Sequence, residues 1–408
     1  MTRSSVRFGE PHGCHSYQRD RRFARLPFWA VGIYWFTFSL PLPLDLGLLV
    51  LAGLGCYSAV RLSVRIVPGM LVCLALLVGV VFMGNVLSID GHRSWNLSLG
   101  LFPAVVVALL VSGYFRRSDL TGLIHILSAF TILVGGWLLT VAAVHPDMSP
   151  EAWIAVSALT AFKVPNDVAL FPIFFPLFLG LWRTENRLAV RVPTLIAIVI
   201  TLVLGVVYRS RLAMLVSLVS AALFYWHADT GKRFVSKLVL FLAMILVVDA
   251  ITGFHALEKL RHPLSAATRL PLWIAAWRMF LDAPWHGHGV GSFRLLYQAY
   301  LQPLPDWVSV DSRLIPWSHN LYLELLAELG LPGILAFMAF FYFPLRAWLL
   351  SRRQGESQRI LTHAFLCAFG GFCLGGFFEF SLWRQWVGLT FLFLVACMVS
   401  ITNKNLEG

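Results

Sequence analysis

The sequence predicts an all-α polytopic membrane protein, with about twelve transmembrane helices and one large outer loop that contains amphipathic helices. Three observations predict it. Of the 408 residues, 58% are hydrophobic and 13% are charged, where a soluble domain carries roughly 25% charged residues; the mean hydropathy is +0.76. The apolar residues fall in runs close to the ~20 residues that cross a bilayer. Lys and Arg gather in short loops on one side of those runs, as cytoplasmic loops do.

Taken in order, the apolar runs are 27–41, 44–60, 66–88, 97–115, 121–144, 168–182, 192–208, 212–227, 235–253, 331–350, 360–380 and 386–402. Pro41 and Pro43 leave only a tight turn between the first two. The basic side carries Arg3, Arg7, Arg19, Arg21, Arg22 and Arg25, then Arg61 and Arg65, and Arg116 and Arg117. Arg183, Arg187 and Arg191 follow, then Lys232 and Arg233, and finally Arg352, Arg353 and Arg359. This places both termini in the cytoplasm. The chain divides into a basic tail (1–26), nine spans (27–253), an outer loop (254–318), a mouth helix with the last three spans (319–402) and a short tail (403–408). The long, arginine-rich start does not resemble a cleavable signal peptide.

The net charge of +12 reads as topology signals facing a lipid bilayer and does not imply nucleic acid. Cys56, Cys73, Cys367, Cys373 and Cys397 fall in apolar stretches and Cys14 in the basic tail; with no CxxC pair they read as small core residues. No His/Cys cluster has metal-ligand spacing, so no metal or other cofactor is expected.

The outer loop breaks the charge rule. It holds Lys259, Arg261, Arg269, Arg278, Arg294 and Arg313 against Glu258, Asp282, Asp306 and Asp311. Arg209 and Arg211 lie at the outer end of a span. These two either snorkel to the interface or form a guanidinium cluster for a pyrophosphate, which arginine binds bidentately. Residues 270–281 read as an amphipathic helix that lies on the membrane or caps the spans. The segment after it carries Gly287, Gly289 and Gly291. It makes either tight turns or a backbone nest for an anion such as a lipid headgroup. His286 and His288 lack a third ligand at suitable spacing. Glu379 and Arg384 flank the last outer turn and suggest a structural ion pair. Asp249 reads as a helix-end carboxylate or a proton relay.

The densest signal is Pro316 to Gly333. Asn320, Glu324 and Glu328 share one helical face. Ser318 suits an N-cap, Gly330 a C′ position and Pro332 the start of a following helix. His319 would then lie in the first helical turn, where the positive helix end disfavours imidazolium and attracts anions. A neutral histidine beside an anion site suits general-base chemistry on a phosphate-bearing substrate.

The pattern resembles the O-antigen ligase and polymerase superfamily of bacterial envelope glycosyltransferases. Three pieces carry the resemblance: Ser210-Arg211; Arg269 to Trp273 with Pro284 and Gly287 to Phe293; and His319 to Leu323 with Glu328-Leu329-Gly330. One large loop before the histidine motif is similar to the ligases more than to the polymerases. The resemblance implies a bacterial inner-membrane enzyme with its active site on the periplasmic face, so that 254–318 is a periplasmic loop. It implies an inverting, metal-independent transfer of a glycan from undecaprenyl pyrophosphate to a sugar hydroxyl of lipid A–core. It implies a catalytic His319, as general base or as a hydrogen-bond partner of the pyrophosphate, with Arg211 and Arg269 as pyrophosphate ligands. Arg209 and Arg313 are candidates by position. Asn320, Glu324, Glu328, Gly287, Gly289 and Gly291 are candidate supports of the site. An O-antigen polymerase or a protein O-oligosaccharyltransferase of the same superfamily is the alternative enzyme. A transporter or lipid flippase is the alternative of another class, disfavoured because most charges lie at one face and no repeat is visible.

Overall fold

The computed structural model describes residues 26–37, 67–145, 165–228, 231–251, 269–301 and 315–403, with isolated positions between 38 and 66. All regular structure in them is helical. Eight helices among the described residues are long and apolar enough to cross a membrane, so the chain is a multi-pass, all-α membrane protein. The helices are α1 (Leu26–Thr37), α2 (Pro68–Leu87), α3 (Gly91–Leu99), α4 (Phe102–Tyr114), α5 (Arg117–Val144), α6 (Leu170–Thr184), α7 (Leu188–Val207) and α8 (Arg211–Ala228). They continue with α9 (Gly231–Ile251), α10 (Leu270–Asp282), α11 (Phe293–Leu296), α12 (Leu321–Ala339), α13 (Tyr342–Ser351), α14 (Glu356–Gly376) and α15 (Gln385–Thr402). Short 3₁₀ turns cover Pro165–Ala169 and Tyr297–Tyr300.

The described residues do not reach the twelve expected spans. The run at 44–60 is described only at isolated positions, and α1, 12 residues long (Leu26–Thr37), covers only part of the run at 27–41. The run at 212–227 falls on a shorter apolar helix, Arg211–Trp226. The run at 235–253 forms α9, whose first turns carry Lys232, Arg233 and Lys237. Two spans also differ in shape. The run at 97–115 is preceded by α3, which Asp90 caps by accepting from the Arg93 N–H, and breaks at Gly100. The run at 331–350 is continuous with the mouth helix across a kink at Gly330.

Burial follows composition. A helix apolar all round belongs inside a bundle, and α6 and α15 are buried along most of their length. Phe171, Phe174, Phe175 and Phe178 of α6 are fully enclosed. The Trp35 ring packs edge-on to Phe130, Phe174 and Phe393 at centroid distances of 6.0, 5.3 and 5.3 Å, tying α1, α5, α6 and α15 together. α2 instead exposes Val72, Phe82 and Val86, as a helix at the lipid boundary does. Around this core, α4 packs on α15, α14 on α6 and α8, and α5 on α7. α10 lies against α12, so the amphipathic helix of the outer loop caps the spans. Cys73, Cys367, Cys373 and Cys397 are free thiols.

Candidate functional site

The site is assembled around the turn that joins α14 to α15, residues 377–384. Four polar side chains from this turn reach three other segments. Ser381 Oγ donates to Glu324 Oε1 at 2.8 Å, and Trp383 Nε1 donates to Glu328 Oε2 at 2.5 Å. Glu379 accepts from Arg269 Nη2 at 2.8 Å and lies 3.0 Å from His319 Nδ1, both through Oε2. Arg384 pairs with Asp167.

His319 does not lie in the first helical turn. It precedes the helix in a left-handed conformation, φ 54°, and the N-cap is Asn320, not Ser318. Asn320 Oδ1 accepts from the Tyr322 and Leu323 N–H groups, each at 3.0 Å, and its Nδ2 donates to the Phe377 carbonyl at 3.2 Å. Ser318 instead turns its hydroxyl onto Asn320, donating to its carbonyl at 2.8 Å and accepting from its N–H at 3.2 Å. Both residue types cap well; the amide wins because it reaches two helical donors and a neighbouring carbonyl at once. Glu379 orients the ring. In the tautomer that donates Nδ1–H to the carboxylate, Nε2 carries the lone pair. The ring lies 5.3 Å from the Trp317 ring, whose Nε1 donates to the Glu379 carbonyl at 3.1 Å. His319 and Arg269 keep about a fifth of their side chains exposed, while Glu379 is buried.

Glu379 and Arg384 are not partners of each other, contrary to the sequence expectation. The turn points them apart, one toward His319 and Arg269, the other toward Asp167. Arg384 is enclosed between the Trp317 and Trp386 rings, 4.8 and 5.3 Å from their centroids. Burial pushes its guanidinium down to about 10, which leaves it cationic near neutrality. Trp386 Nε1 also donates to Asp167 at 3.3 Å.

The polar stripe of α12 is not open to the mouth. Asn320, Glu324 and Glu328 are all buried. Glu328 fills the nest that the glycine loop makes: the Gly291 N–H donates to Oε2 at 2.8 Å and the Phe293 N–H to Oε1 at 2.9 Å. The acceptor in the nest is thus a side chain of this protein rather than a lipid headgroup. Gly287, Gly289 and Gly291 have φ of 64°, 93° and 73°. A Cβ on Gly287 would lie 2.3 Å from the Glu328 backbone, and one on Gly289 2.4 Å from Ser88 Cα. These glycines let the loop press onto α12 and the end of α2. The loop also accepts back: the Leu331 N–H, freed by the Gly330 kink, donates to the Pro284 carbonyl at 2.8 Å. His288 Nε2 lies 3.0 Å from the Met279 carbonyl at the end of α10. His286 Nδ1 lies 2.6 Å from the Gly287 carbonyl. Among the described residues no three His, Cys, Asp or Glu side chains form a group that could hold a metal ion.

Arg209 and Arg211 stand on another wall of the same bundle end. α8 packs against the 165–169 turn that carries Asp167. Ser210 caps α8 by accepting from the Ala213 N–H at 3.3 Å, which puts Arg211 at the first helical position. Arg209 closes α7 with a Schellman pair: its N–H donates to Val206 and that of Ser210 to Gly205. It takes φ 51° where glycine is the usual choice. Arg313 lies outside the described residues, as do Lys259, Arg261 and the 146–164 segment. Asp249 is buried near the end of α9. Sequence reasoning placed Glu379 at the last outer turn but missed its partners, and gave no role to Asp167, Trp317, Ser381 or Trp383.

A multi-pass helical membrane protein with a histidine–carboxylate–arginine cluster in a basic mouth is the class these features define. The family profile described as O-Antigen ligase matches residues 196–338, so this part of the chain is similar to that family. The match takes in Arg209, Arg211, Arg269, the glycine loop and His319, but not Glu379 or Arg384. No curated protein matches the chain at a significant level.

Replacing Glu328 with alanine should unseat the glycine loop. It strands two backbone N–H groups and an indole N–H, and a buried unsatisfied group costs about 1–3 kcal/mol. The expected result is a clearly lower melting temperature of the purified protein and faster proteolysis between 284 and 293. An unchanged melting curve with unchanged protection would show that Glu328 does not hold the loop.

Proposed function

We propose that the protein is an O-antigen ligase of a bacterial inner membrane, which transfers a glycan from undecaprenyl pyrophosphate to a sugar hydroxyl of lipid A–core. The observation that carries this reading is the His319–Glu379–Arg269 cluster, with the partial match to the ligase family as its support. In the proposed reaction the acceptor hydroxyl attacks the anomeric carbon from the face opposite the pyrophosphate. The new C–O bond forms as the bond to the phosphate oxygen breaks, so the configuration inverts. His319 Nε2 takes the hydroxyl proton, and Glu379 holds the ring and balances the imidazolium that results. Arg211 and Arg269, with Arg209 and Arg313 as further candidates, hold the pyrophosphate and neutralise the charge it gains on leaving. The proton then passes to solvent.

Backbone strain agrees with this assignment. Arg209 and His319 are the only non-glycine residues at positive φ among the described ones. A left-handed conformation costs roughly 1–2 kcal/mol per residue, and such strain collects at functional sites.

His319→Ala should lower transfer by about 10²–10⁴-fold while the protein still inserts and folds. His319→Gln separates two roles, since an amide can hydrogen-bond the pyrophosphate but cannot take a proton at Nε2. The base assignment expects Gln to be as poor as Ala; recovery to near wild-type transfer would assign His319 to donor binding instead. Glu379→Gln should cut transfer as well, and Arg269→Lys should recover only part of what Arg269→Ala loses, because a point charge does not replace the guanidinium fork. Arg187→Ala, on the opposite basic face, is the control. The readout is glycan-modified lipid A–core at matched protein level.

Transfer by purified protein with lipid-pyrophosphate glycan and lipid A–core should continue in saturating chelator, because arginines supply the positive charge at the leaving group. Loss on chelation that one added metal ion restores would count against this mechanism.

The proposed topology has both termini in the cytoplasm and 254–318 in the periplasm. With native cysteines replaced, Ser265→Cys should react with an impermeant maleimide from the periplasmic side. Labelling from the cytoplasmic side alone would invert the topology and move the site with it.

A further inference from the structure

A second basic cavity lies at the far end of the bundle from His319. α14 starts at this cavity with Glu356 and ends beside the histidine, where Asn320 bonds the Phe377 carbonyl. Its 21 residues span about 30 Å, so the two sites face opposite surfaces of the membrane. The cavity has a volume of about 300 Å³ and is lined by Arg183, Arg352, Arg359, His363, Glu356 and Ser351 together with Phe224, Trp348 and Ile360.

Its chemistry is divided. Three arginines stand against one carboxylate at the outer part, which leaves it cationic. Arg352 is held over the Trp348 ring, 4.4 Å from its centroid, so its guanidinium is pre-placed. Arg352 and Arg359 form no ion pair with another described residue. Glu356 and Arg359 lie in the first turn of α14, where the helix end adds positive potential. The inner wall is apolar: Phe224 stacks on His363 at 6.1 Å, and Ile360 completes it. A tryptophan and arginines at one level, with an apolar wall behind, match the interface between headgroups and acyl chains. The volume falls in the range of small-ligand sites, about 300–1,000 Å³.

We infer that this cavity binds the phosphate of an anionic phospholipid from the membrane leaflet opposite the His319 site. Arg352 and Arg359 take the phosphodiester oxygens, Arg183 closes the rim, and the apolar wall receives the glycerol and the start of an acyl chain. Basic pockets between transmembrane helices on the cytoplasmic side bind anionic headgroups in this manner. The occupant would tie α6, α8, α13 and α14 together at their cytoplasmic ends. The assignment is independent of the glycan-transfer reading.

The test uses the full-length protein purified in mild detergent. Its melting temperature is measured with added phosphatidylglycerol, with phosphatidylcholine, and with inorganic phosphate at matched ionic strength, and retained lipid is counted by native mass spectrometry. Phosphatidylglycerol should raise the melting temperature and remain bound, and phosphatidylcholine should do neither. In Arg352→Gln/Arg359→Gln the affinity should fall by about tenfold or more, as loss of charged hydrogen bonds implies. Should that variant fail to fold, Arg352→Lys/Arg359→Lys keeps the charge and should still lose several-fold. Stabilisation by inorganic phosphate equal to that by the lipid would keep the phosphate site but assign it to a soluble anion. Equal behaviour with the two lipids, or phosphatidylglycerol binding unchanged in both variants, would overturn the inference.

Discussion

Four carboxylates are buried at one end of this bundle: Asp167, Glu324, Glu328 and Glu379. A buried carboxyl group is costly unless it is hydrogen-bonded or paired, and the contacts at this end answer that demand. Asp167, Glu324 and Glu328 draw donors from the stretch 379–386, Glu379 within that stretch takes Arg269 and His319, and Glu328 takes two more from the glycine loop. The turn between α14 and α15 is consequently held at one depth and one rotation by several unrelated contacts. Residues 284–293 are held by the same logic from the other side, through Glu328 and the Gly330 kink.

That network explains how the left-handed His319 persists. His319 could relax out of its left-handed conformation only by giving up its bond to Glu379. The residues on either side of it are fixed as well, through Trp317 on the 379 carbonyl and Asn320 on the 377 carbonyl. The ring is thus over-determined by neighbours that take no part in chemistry. Pre-organisation of this kind is what a proton acceptor needs, because a base that must be ordered during the reaction loses much of its advantage.

Local chemistry was legible in the sequence and long-range pairing was not. Gly330 and Pro332 announce the break in α12 because only their own backbone preferences are at stake, and the structure shows the break at Gly330. The amphipathic pattern of 270–281 likewise returns as α10. Where two residues compete for one role, the outcome depends on partners far along the chain: Asn320 takes the cap from Ser318 through a carbonyl in the 377–384 turn. The three glycines read as tight turns or a nest for a lipid headgroup; they do make a nest, but the carboxyl it holds comes from Glu328, far along the chain. Glu379 and Arg384 invited pairing by proximity, yet their partners are Arg269, His319 and Asp167, separations that no periodicity encodes.

The sharing of one oxygen by Arg269 and His319 has a consequence for how the mouth would receive an anion. Glu379 Oε2 carries both contacts, while Oε1 is buried with no hydrogen-bond partner among the described residues. Arg269 is bonded here through a single Nη2, so its remaining donors are available for a phosphate in the fork geometry that arginine offers. An incoming pyrophosphate need not break the ion pair. It adds a second anion to the guanidinium and leaves the carboxylate on the imidazole. In the proposed reaction the two anions then act on different partners: the pyrophosphate draws on the arginines as its leaving bond breaks, and the carboxylate stabilises the imidazolium as the proton arrives. A mouth lined by arginines alone would hold the donor but would oppose protonation of His319. In the proposed reaction, the buried carboxylate between them lets a cationic donor site and a proton-accepting histidine stand side by side.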